Sequence, residues 1–426
     1  MHEVDIAIVG AGLVGVPLAL ALDAAGWRVA LLEQGNRQGE KQGGKPLGAM
    51  RDRDTAAANP VRQEVALEAR CSALSAGSVA WLREQGFWDV VSPEATPILS
   101  VQVTQAGSFG VTRLDAHAEG FDAFGQVLAN NAMLRAWQAL LDGSTVLQRY
   151  GFRVEGVAHR TVPGQQERCV VISADDGAQP DIAARLLVAV DGFSSRIREL
   201  AGVAARHHDY DQVGVLTNVE LAEPHRNVAH ERFTAAGPLA LLPRGERVAN
   251  VVHSVATQDA ERIMALDDAA YLAELQQHFG YRLGRFRRVG SRLSVPLMRI
   301  ESMAPQAPRT LFLGNAARLL HPVAGQGYNL ALRDVAALVR ALGLRQSQSA
   351  DIGSAEWLGR YVAGRADDRA GTVRLTDLLA RGFTGSAAGP KHLRSLGLLG
   401  LDLIGPWKRA FLRRTTGVGG REWARR

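Results

Sequence analysis

Three glycines near the N-terminus are the first residues whose spacing implies chemistry. Gly10, Gly12 and Gly15 form a G-x-G-x-x-G run that encloses Leu13 and Val14. An apolar stretch at 4–9 (VDIAIV) precedes it, and an Ala/Leu-rich stretch ending near Gly26 follows. In such a run the first glycine permits a tight turn, the second lets backbone approach a pyrophosphate, and the third lets helix and strand pack closely. The helix N-terminus then offers N–H groups and the positive end of its dipole to the phosphates. A second apolar stretch at 28–32 closes on Glu33, where a carboxylate can accept hydrogen bonds from ribose hydroxyls. The same carboxylate would repel a 2′-phosphate, so the slot suits FAD or NAD better than NADP. The bland alternative is a structural turn with Glu33 merely solvated.

Two more glycine-bearing sites lie far along the chain. At 190–198 (VDGFSSRIR), Asp191 and Gly192 follow an apolar stretch and precede Ser195 and Arg198. A lone Asp-Gly is often only a turn; this placement, after a buried strand, favours a ligand role. The third site is Gly314, Asn315, Ala316 and Ala317, followed at 321–330 by HPVAGQGYNL, which holds His321, Pro322, Gly325, Gln326, Gly327, Tyr328 and Asn329. His321 has two readings, a proton donor at a site or a histidine that shapes the loop before a proline. Met133 and Trp137 read as core. Nothing in the sequence arranges a Ser-His-Asp triad, a paired-carboxylate site or a metal cluster, so no metal site is expected.

The opening stretch reads as a complete βαβ unit. Residues 35–60 lack an apolar period and read as a long loop or insertion. Short helices are expected at 75–85 and 130–141, paired strands at 99–105 and 109–114, and a buried strand at 182–190. From 211 to 297 the pattern is strand-rich, with strands at 212–221, 239–242, 248–255 and 291–297 and one helix at about 267–279. A short buried strand at 310–313 and a helix at 329–342 follow.

The chain has 426 residues, 46% hydrophobic, enough for two interleaved domains around one ligand. Its two cysteines, Cys71 and Cys169, have no metal-ligand spacing and imply no disulfide framework, which fits a reducing cytosol. The first five residues carry two acids and no basic segment, unlike a signal peptide. No stretch approaches the ~18 apolar residues of a spanning helix. The formal charge of +6 is concentrated in the last segment, where nine Lys/Arg and two acids lie between Lys391 and Arg426. Basicity confined to a tail argues against nucleic acid as the partner and for contact with an anionic surface. Leu393, Leu396, Leu399, Leu403 and Trp407 fall near helical spacing, which suits core packing. The neighbouring Lys408, Arg409, Arg413 and Arg414 beside Phe411 and Leu412 suit an interfacial anchor.

Taken together, these motifs resemble the class A FAD-dependent aromatic hydroxylases, and among them the UbiH-type 2-polyprenyl-6-methoxyphenol hydroxylases of ubiquinone biosynthesis. The match also covers 68–75 (EARCSALS), 237–243 (GPLALLP) and 394–398 (RSLGL) and so spans nearly the whole chain. The resemblance implies an α/β fold: a Rossmann-like FAD-binding domain of the p-hydroxybenzoate-hydroxylase kind, a strand-rich substrate domain interleaved with it, and a helical C-terminal region. The FAD domain is expected at 1–98, 116–205 and 298–345. The substrate domain, a mixed or antiparallel sheet, is expected at 99–115 and 206–297, and the C-terminal region with its basic tail at 346–426.

By the same resemblance Asp191 and Gly192 would sit near the FAD pyrophosphate. Asn315, next to Gly314, would bond the ribityl chain, and Gly325, Gln326, Gly327, Tyr328 and Asn329 would present backbone N–H groups to the flavin pyrimidine edge. Reduced flavin carries negative charge there, which a helix N-terminus stabilises. Arg70 resembles the flavin-side arginine, with simple pairing to Glu68 as its alternative, and Asn130 resembles a polar FAD contact. His321 and Pro322 would neighbour the flavin. The departures are Asn315 for the usual aspartate, an amide that UbiH-type members often carry, Glu68 for Asp, Gln126 for Tyr and Val190 for Ala.

The implied activity is ring hydroxylation of a polyprenylated phenol. NAD(P)H reduces FAD, O2 adds to give a flavin hydroperoxide, and the ring takes the distal oxygen. Bulk water must be excluded meanwhile. The expected setting is cytoplasmic, peripheral on the inner face of the membrane through the basic tail, within a complex of ubiquinone-biosynthesis enzymes. A soluble phenol or polyketide hydroxylase and a non-catalytic flavoprotein scaffold are the alternatives.

Overall fold

The computed structural model describes residues 1–37, 67, 70–107, 111–161, 168–174, 179–235, 237–347, 349–382 and 405–417. The insertion read at 35–60 lies almost wholly outside these residues, as do Glu68 and the apolar spacing from Leu393 to Leu403.

The N-terminal pattern folds as its periodicity dictates. Strand His2–Val9, helix Gly15–Ala24 and strand Val29–Glu33 follow one another, and the two strands pair in parallel. Parallel strands are covered on both faces and therefore read as unbroken apolar runs; Ile6, Ala7 and Ile8 are wholly buried. Strand Ile182–Ala189 pairs in parallel on the other side of His2–Val9, and Thr310–Phe312 pairs in parallel with its second half. Register aligns Val9, Ala189 and Phe312 in one row across the three strands. The three glycine sites begin at the next residues or just beyond, so segments hundreds of residues apart arrive at one carboxyl edge. That is where ligands of open α/β sheets bind. The eight-stranded sheet is the Rossmann-like core expected from the sequence.

A second, nine-stranded sheet runs in the order Arg318–Leu319, Leu293–Ser302, Ala205–Leu221, Val248–Ala256, Pro238–Arg244, Val228–Phe233, Ser100–Gln105 and Val111–Asp115, with Phe286–Val289 joined at one side. All its pairings are antiparallel except Val228–Phe233 with Ser100–Gln105. Alternation divides its residues between two faces. Val213, Val215, Leu239, Leu241 and Val251 pack under helices Thr257–Ala265 and Asp268–Phe279, through Ile263, Tyr271, Leu275 and Phe279. The opposite face looks toward the Rossmann-like core. A three-stranded sheet, Cys71–Ser75, Gly125–Ala129 and Thr96–Ile98, lies beside the junction.

Two helices brace the site from behind. Helix Gln326–Leu342 is buried along most of its length and packs against the long helix Ala355–Gly382. Between them lies an ionic lattice. Asp334, 4% exposed, accepts from Arg365 Nε at 2.8 Å and Arg369 Nε at 3.1 Å. Asp368 accepts from Arg333 Nε at 3.0 Å and from Arg365, and Tyr361 donates to the Asp334 carbonyl at 2.8 Å. A last described helix, Gly405–Thr416, docks near the start of Gln326–Leu342, where Gln326 Nε2 donates to the Thr415 carbonyl at 3.3 Å. A Cβ on Gly77 would lie 2.9 Å from the Gly417 carbonyl, so the chain past this helix touches helix Ala76–Glu84 backbone to backbone.

Three differences from the sequence reading have physical causes. The helix read from Asn329 begins at Gln326, because Gly325 turns the chain with φ +58 and frees the next residues to be helical. The strand-rich stretch holds a second helix, Thr257–Ala265, whose only buried residues are Ala260 and Ile263, too sparse an apolar period to read. Strand Ala205–Leu221 starts seven residues before the expected 212, through a polar, bulged segment that includes His207, His208 and Asp209. No described helix is long and apolar enough to cross a membrane.

Candidate functional site

A cavity of about 870 Å³ lies between the two large sheets. Its near end is glycine and backbone. Gly12, Leu13, Val14, Gly192, Gly314, Asn315, Gly325, Gln326, Gly327, Tyr328 and Asn329 all line it, with Arg70 exposed at its margin. Segments read separately in the sequence therefore share one wall.

The N-terminal glycines divide their roles as the fingerprint requires. Gly10 has φ +113, and a Cβ there would sit 2.6 Å from the Val190 carbonyl, so only glycine lets the first loop meet the Asp191 segment. A Cβ on Gly15 would overlap the Gly10 carbonyl. Gly12 faces open space with nothing within 4 Å of its would-be Cβ. Glu33 braces the same loop, accepting from Ala11 N at 2.7 Å and Gly35 N at 3.0 Å. A carboxylate has about four lone-pair sites, so acceptor capacity remains.

Helices Gly15–Ala24 and Gln326–Leu342 both start without a side-chain cap and without an acid in the first turn. Their leading N–H groups lack intrahelical partners and attract anions. Asp191 accepts from Ile197 N at 3.1 Å through one oxygen, while the other is buried with no hydrogen-bond partner. Burial pushes its carboxyl above the ordinary range, against hydrogen bonds from Ser195 and Ile197 N. Arg198 locks the second motif to the third, donating to the Ala316 carbonyl at 2.8 Å and the Phe193 carbonyl at 2.9 Å. An open glycine and two uncapped helix starts fit a dinucleotide, with Gly12 free to meet phosphates and Gly325 and Gln326 to meet an electron-rich ring edge, while Asp191 stands outside the cavity lining.

Other residues singled out from sequence act around the cavity rather than in it. Asn130 opens helix Asn130–Asp142 and accepts from Ser72 Oγ at 2.7 Å; Ser72, not Asn130, lines the cavity. Pro322 lines it, whereas the His321 ring does not. His321 Nδ1 accepts from Val323 N at 3.2 Å, and its ring stands edge-on to Tyr210 at 5.0 Å. Burial lowers its pKa to about 4, so it is a neutral, loop-shaping histidine at working pH. Tyr328 donates to the Leu13 carbonyl at 3.0 Å and so ties the third site to the first.

Asn329 was read for its backbone, yet its side chain uses every hydrogen-bonding site it has. Its Oδ1 accepts from Ser75 N at 2.7 Å and Ser78 Oγ at 2.8 Å, and its Nδ2 donates to the Ala73 and Gly325 carbonyls, both at 2.8 Å. Asn329→Ala strands these buried groups and is expected to cost about 2–3 kcal/mol. Urea unfolding of the variant checks this; an unchanged midpoint would show that water replaces the amide.

The far end of the cavity is the inner face of the nine-stranded sheet, which the sequence reading did not resolve into a surface. Val101, Val103, Ala229, Phe233, Ala240, Leu242, Val252, Leu216 and Leu293 form an apolar wall, interrupted by Glu231 and by the bonded pair Asn218 and Asn250. Leu375, Leu378 and Leu379 of the long helix and Phe411 and Leu412 of the last described helix complete it. The strand Val228–Phe233, which carries Glu231, was missed. Its signal was the alternation of Ala229, Glu231 and Phe233 on one face.

The family described as FAD binding domain matches residues 61–374. Ubiquinone hydroxylase UbiL of Rhodospirillum rubrum is 31% identical over 418 residues, covering 97% of this chain and 90% of that protein. The 3-demethoxyubiquinol 3-hydroxylase of Escherichia coli is 28% identical over 423 residues, covering 97% and 98%. Among solved structures, PqsL of Pseudomonas aeruginosa, described as a probable FAD-dependent monooxygenase, superposes with a TM-score of 0.71 at 20% identity over 93% of this chain and 100% of that one.

Proposed function

This chain belongs to the FAD binding domain family, and from that premise we propose that it is a monooxygenase that hydroxylates the ring of a polyprenylated phenol in ubiquinone biosynthesis. NAD(P)H is the reductant and O2 the oxidant. The observation that carries the reading is that the glycine cradle and a large apolar wall enclose one continuous cavity. The relatives named for ubiquinone hydroxylation over nearly the whole chain support it.

The bound flavin would supply the activation of O2. The chain's own residues do the rest. Gly12 and the start of helix Gly15–Ala24 would hold the phosphates, and Asn315 would bond the ribityl chain. Gly325 and Gln326 would set the helix dipole against an electron-rich ring edge there. The apolar wall seats the ring and its tail and keeps bulk water away from the reacting atoms. Leu375, Leu378 and Leu379 of the lining would flank the tail, with Leu378 67% exposed toward solvent. The same reading keeps the division proposed above: an FAD domain at 1–98, 116–205 and 298–345, a substrate domain at 99–115 and 206–297, and a C-terminal region from 346. It also keeps peripheral membrane contact and association with other enzymes of the pathway.

The test is turnover of holoprotein with NAD(P)H, isotopically heavy O2 and phenols bearing none, one, two or three prenyl units. The expected result is heavy oxygen in the ring, with kcat/KM rising at least ~10-fold per unit of tail as apolar area is buried. NAD(P)H oxidation that ignores every phenol would remove the proposal, and equal rates at all tail lengths would point to a soluble phenol instead.

A further inference from the structure

One row of the nine-stranded sheet stands out within the cavity. Register aligns Val103, Glu231, Ala240, Val252, Leu216 and Leu293 side by side across six strands. All six line the cavity, and five are apolar. A leucine or valine would suit the sixth place and cost nothing. Instead there is a carboxyl group with a buried oxygen, Oε1, that has no hydrogen-bond partner. Its remaining exposure is to the cavity interior. Buried polar groups are nearly always paired, so an orphan in a ligand cavity marks where a ligand's donor belongs.

The surroundings specify that donor. The other titratable side chains lining the cavity among the described residues are Arg70, Cys71, His230 and Tyr328. Arg70 stands at the margin, and Tyr328 is bonded to Leu13 O. Cys71, beside Arg244 at the end of the neighbouring strand, is pushed up by burial. His230 precedes Glu231 and packs its ring on Phe279, on the helix-covered face, at 5.4 Å. On the flanking strands Val101, Val103, Ala240 and Leu242 face the cavity, and on the helices across it Leu375, Leu378, Leu379, Phe411 and Leu412 do. None is charged. Burial alone raises the Glu231 carboxyl to about 7.

We infer that Glu231 is the group that receives the phenolic hydroxyl of the substrate, fixing the ring in the apolar wall and drawing off its proton as the ring reacts. This rests on the phenol reading above. In the step, the phenol O–H bond breaks and its proton passes to Glu231 Oε1. The electron pair stays on the phenol oxygen and flows into the ring carbon that forms the new C–O bond. That carbon then loses its own hydrogen as a proton, and aromaticity returns. O2 is the oxidant and NAD(P)H the reductant, and the second oxygen atom leaves as water. A carboxylate held near neutrality is a stronger base than an ordinary one, and its ionised, proton-accepting form grows as pH rises.

Glu231→Gln, Glu231→Leu and wild-type holoprotein are compared with two probes, 2-farnesylphenol and its methyl ether. By equilibrium fluorescence titration, wild type is expected to prefer the phenol at least ~10-fold, as a hydrogen bond to a charged acceptor allows, and Glu231→Leu to show no preference. The wild-type kcat/KM should rise with pH through an inflection near 7. Glu231→Gln should lose that inflection and about 100-fold in rate while holding FAD in the same proportion. A second reading needs no turnover. A carboxyl raised in the folded state contributes stability below its unfolded pKa and loses it as pH rises through the folded value. Glu231→Gln should therefore melt with wild type at about pH 4 and above it at about pH 8.5. Wild type that hydroxylates the phenol, beside variants that keep the preference and the inflection, would overturn the Glu231 assignment alone. Wild type that binds neither probe would overturn the phenol reading and this inference together.

Discussion

Gly12→Glu is expected to give a folded, soluble and colourless protein. The would-be Cβ of Gly12 meets nothing within 4 Å, and Gly12 is not one of the positive-φ glycines, so the new side chain enters open cavity without straining the loop. There it sets a carboxylate in front of the uncapped start of helix Gly15–Ala24, taking the N–H groups and the dipole that would otherwise meet the pyrophosphate. FAD retention should fall at least ~100-fold, since like charges exclude one another in a site built for one anion. Absorbance of the purified protein and titration with FAD read the result, and added FAD should no longer raise the melting temperature. A yellow Gly12→Glu protein would show that the phosphates lie elsewhere. The contrast is Gly15→Ala, whose Cβ would collide with the Gly10 carbonyl; that variant should fail to fold.

The second large effect lies in the ionic lattice behind the site. Asp334→Ala leaves Arg369 without its carboxylate and Arg365 with only Asp368, in a layer where Arg369 is 4% and Arg365 9% exposed. Removing one partner of a buried ion pair typically costs about 3–5 kcal/mol, because the remaining charge cannot be solvated. The denaturant midpoint should drop accordingly. The triple change Asp334→Leu, Arg365→Leu, Arg369→Met should recover most of that loss, since Asp368 keeps Arg333 and apolar replacement of buried ion pairs is often neutral or stabilising. Failure of the triple change to recover would mean the lattice specifies helix position. Acid should act similarly. Burial tends to raise the Asp368 carboxyl, but Arg333 and Arg365 hold it below the usual range. The stability it contributes is present above its unfolded pKa and is lost as pH falls through the folded value.

The fold was legible where local chemistry and tertiary role coincide. The first βαβ unit is written in an apolar run, a glycine loop and a carboxylate; the turn at Gly10 and the close packing at Gly15 follow their spacing, while Glu33, read as a ribose acceptor, here accepts from Ala11 N and Gly35 N. The Asp191 and Gly314 segments, expected from sequence to meet a ligand, bring Gly192, Gly314 and Asn315 to the cavity wall. What the sequence could not show from patterns alone was the register that sets Val9, Ala189 and Phe312 in one row, because parallel partners carry no turn between them to fix their alignment. Asn329 and Glu231 escaped for a different reason. An asparagine that satisfies four groups on three elements, and a glutamate alone among apolar neighbours on five other strands, are defined by what surrounds them. Two-residue alternation marks a face but not what lies across from it. His321 left two readings open, a proton donor or a loop-shaping histidine, and its surroundings fit the second: a buried neutral ring bonded to Val323 N.

Phe411, Leu412, Thr415 and Thr416 wall the same cavity that Gly12 opens. A chain leaves the ribosome amino end first. Nascent protein therefore completes its glycine segments before the last wall of that cavity is made, and a dinucleotide arriving then would meet a half-built bowl open to solvent. On the reading proposed above the cavity closes only after translation has passed residue 416, so prematurely stopped chains are expected to be poor holders of their pigment.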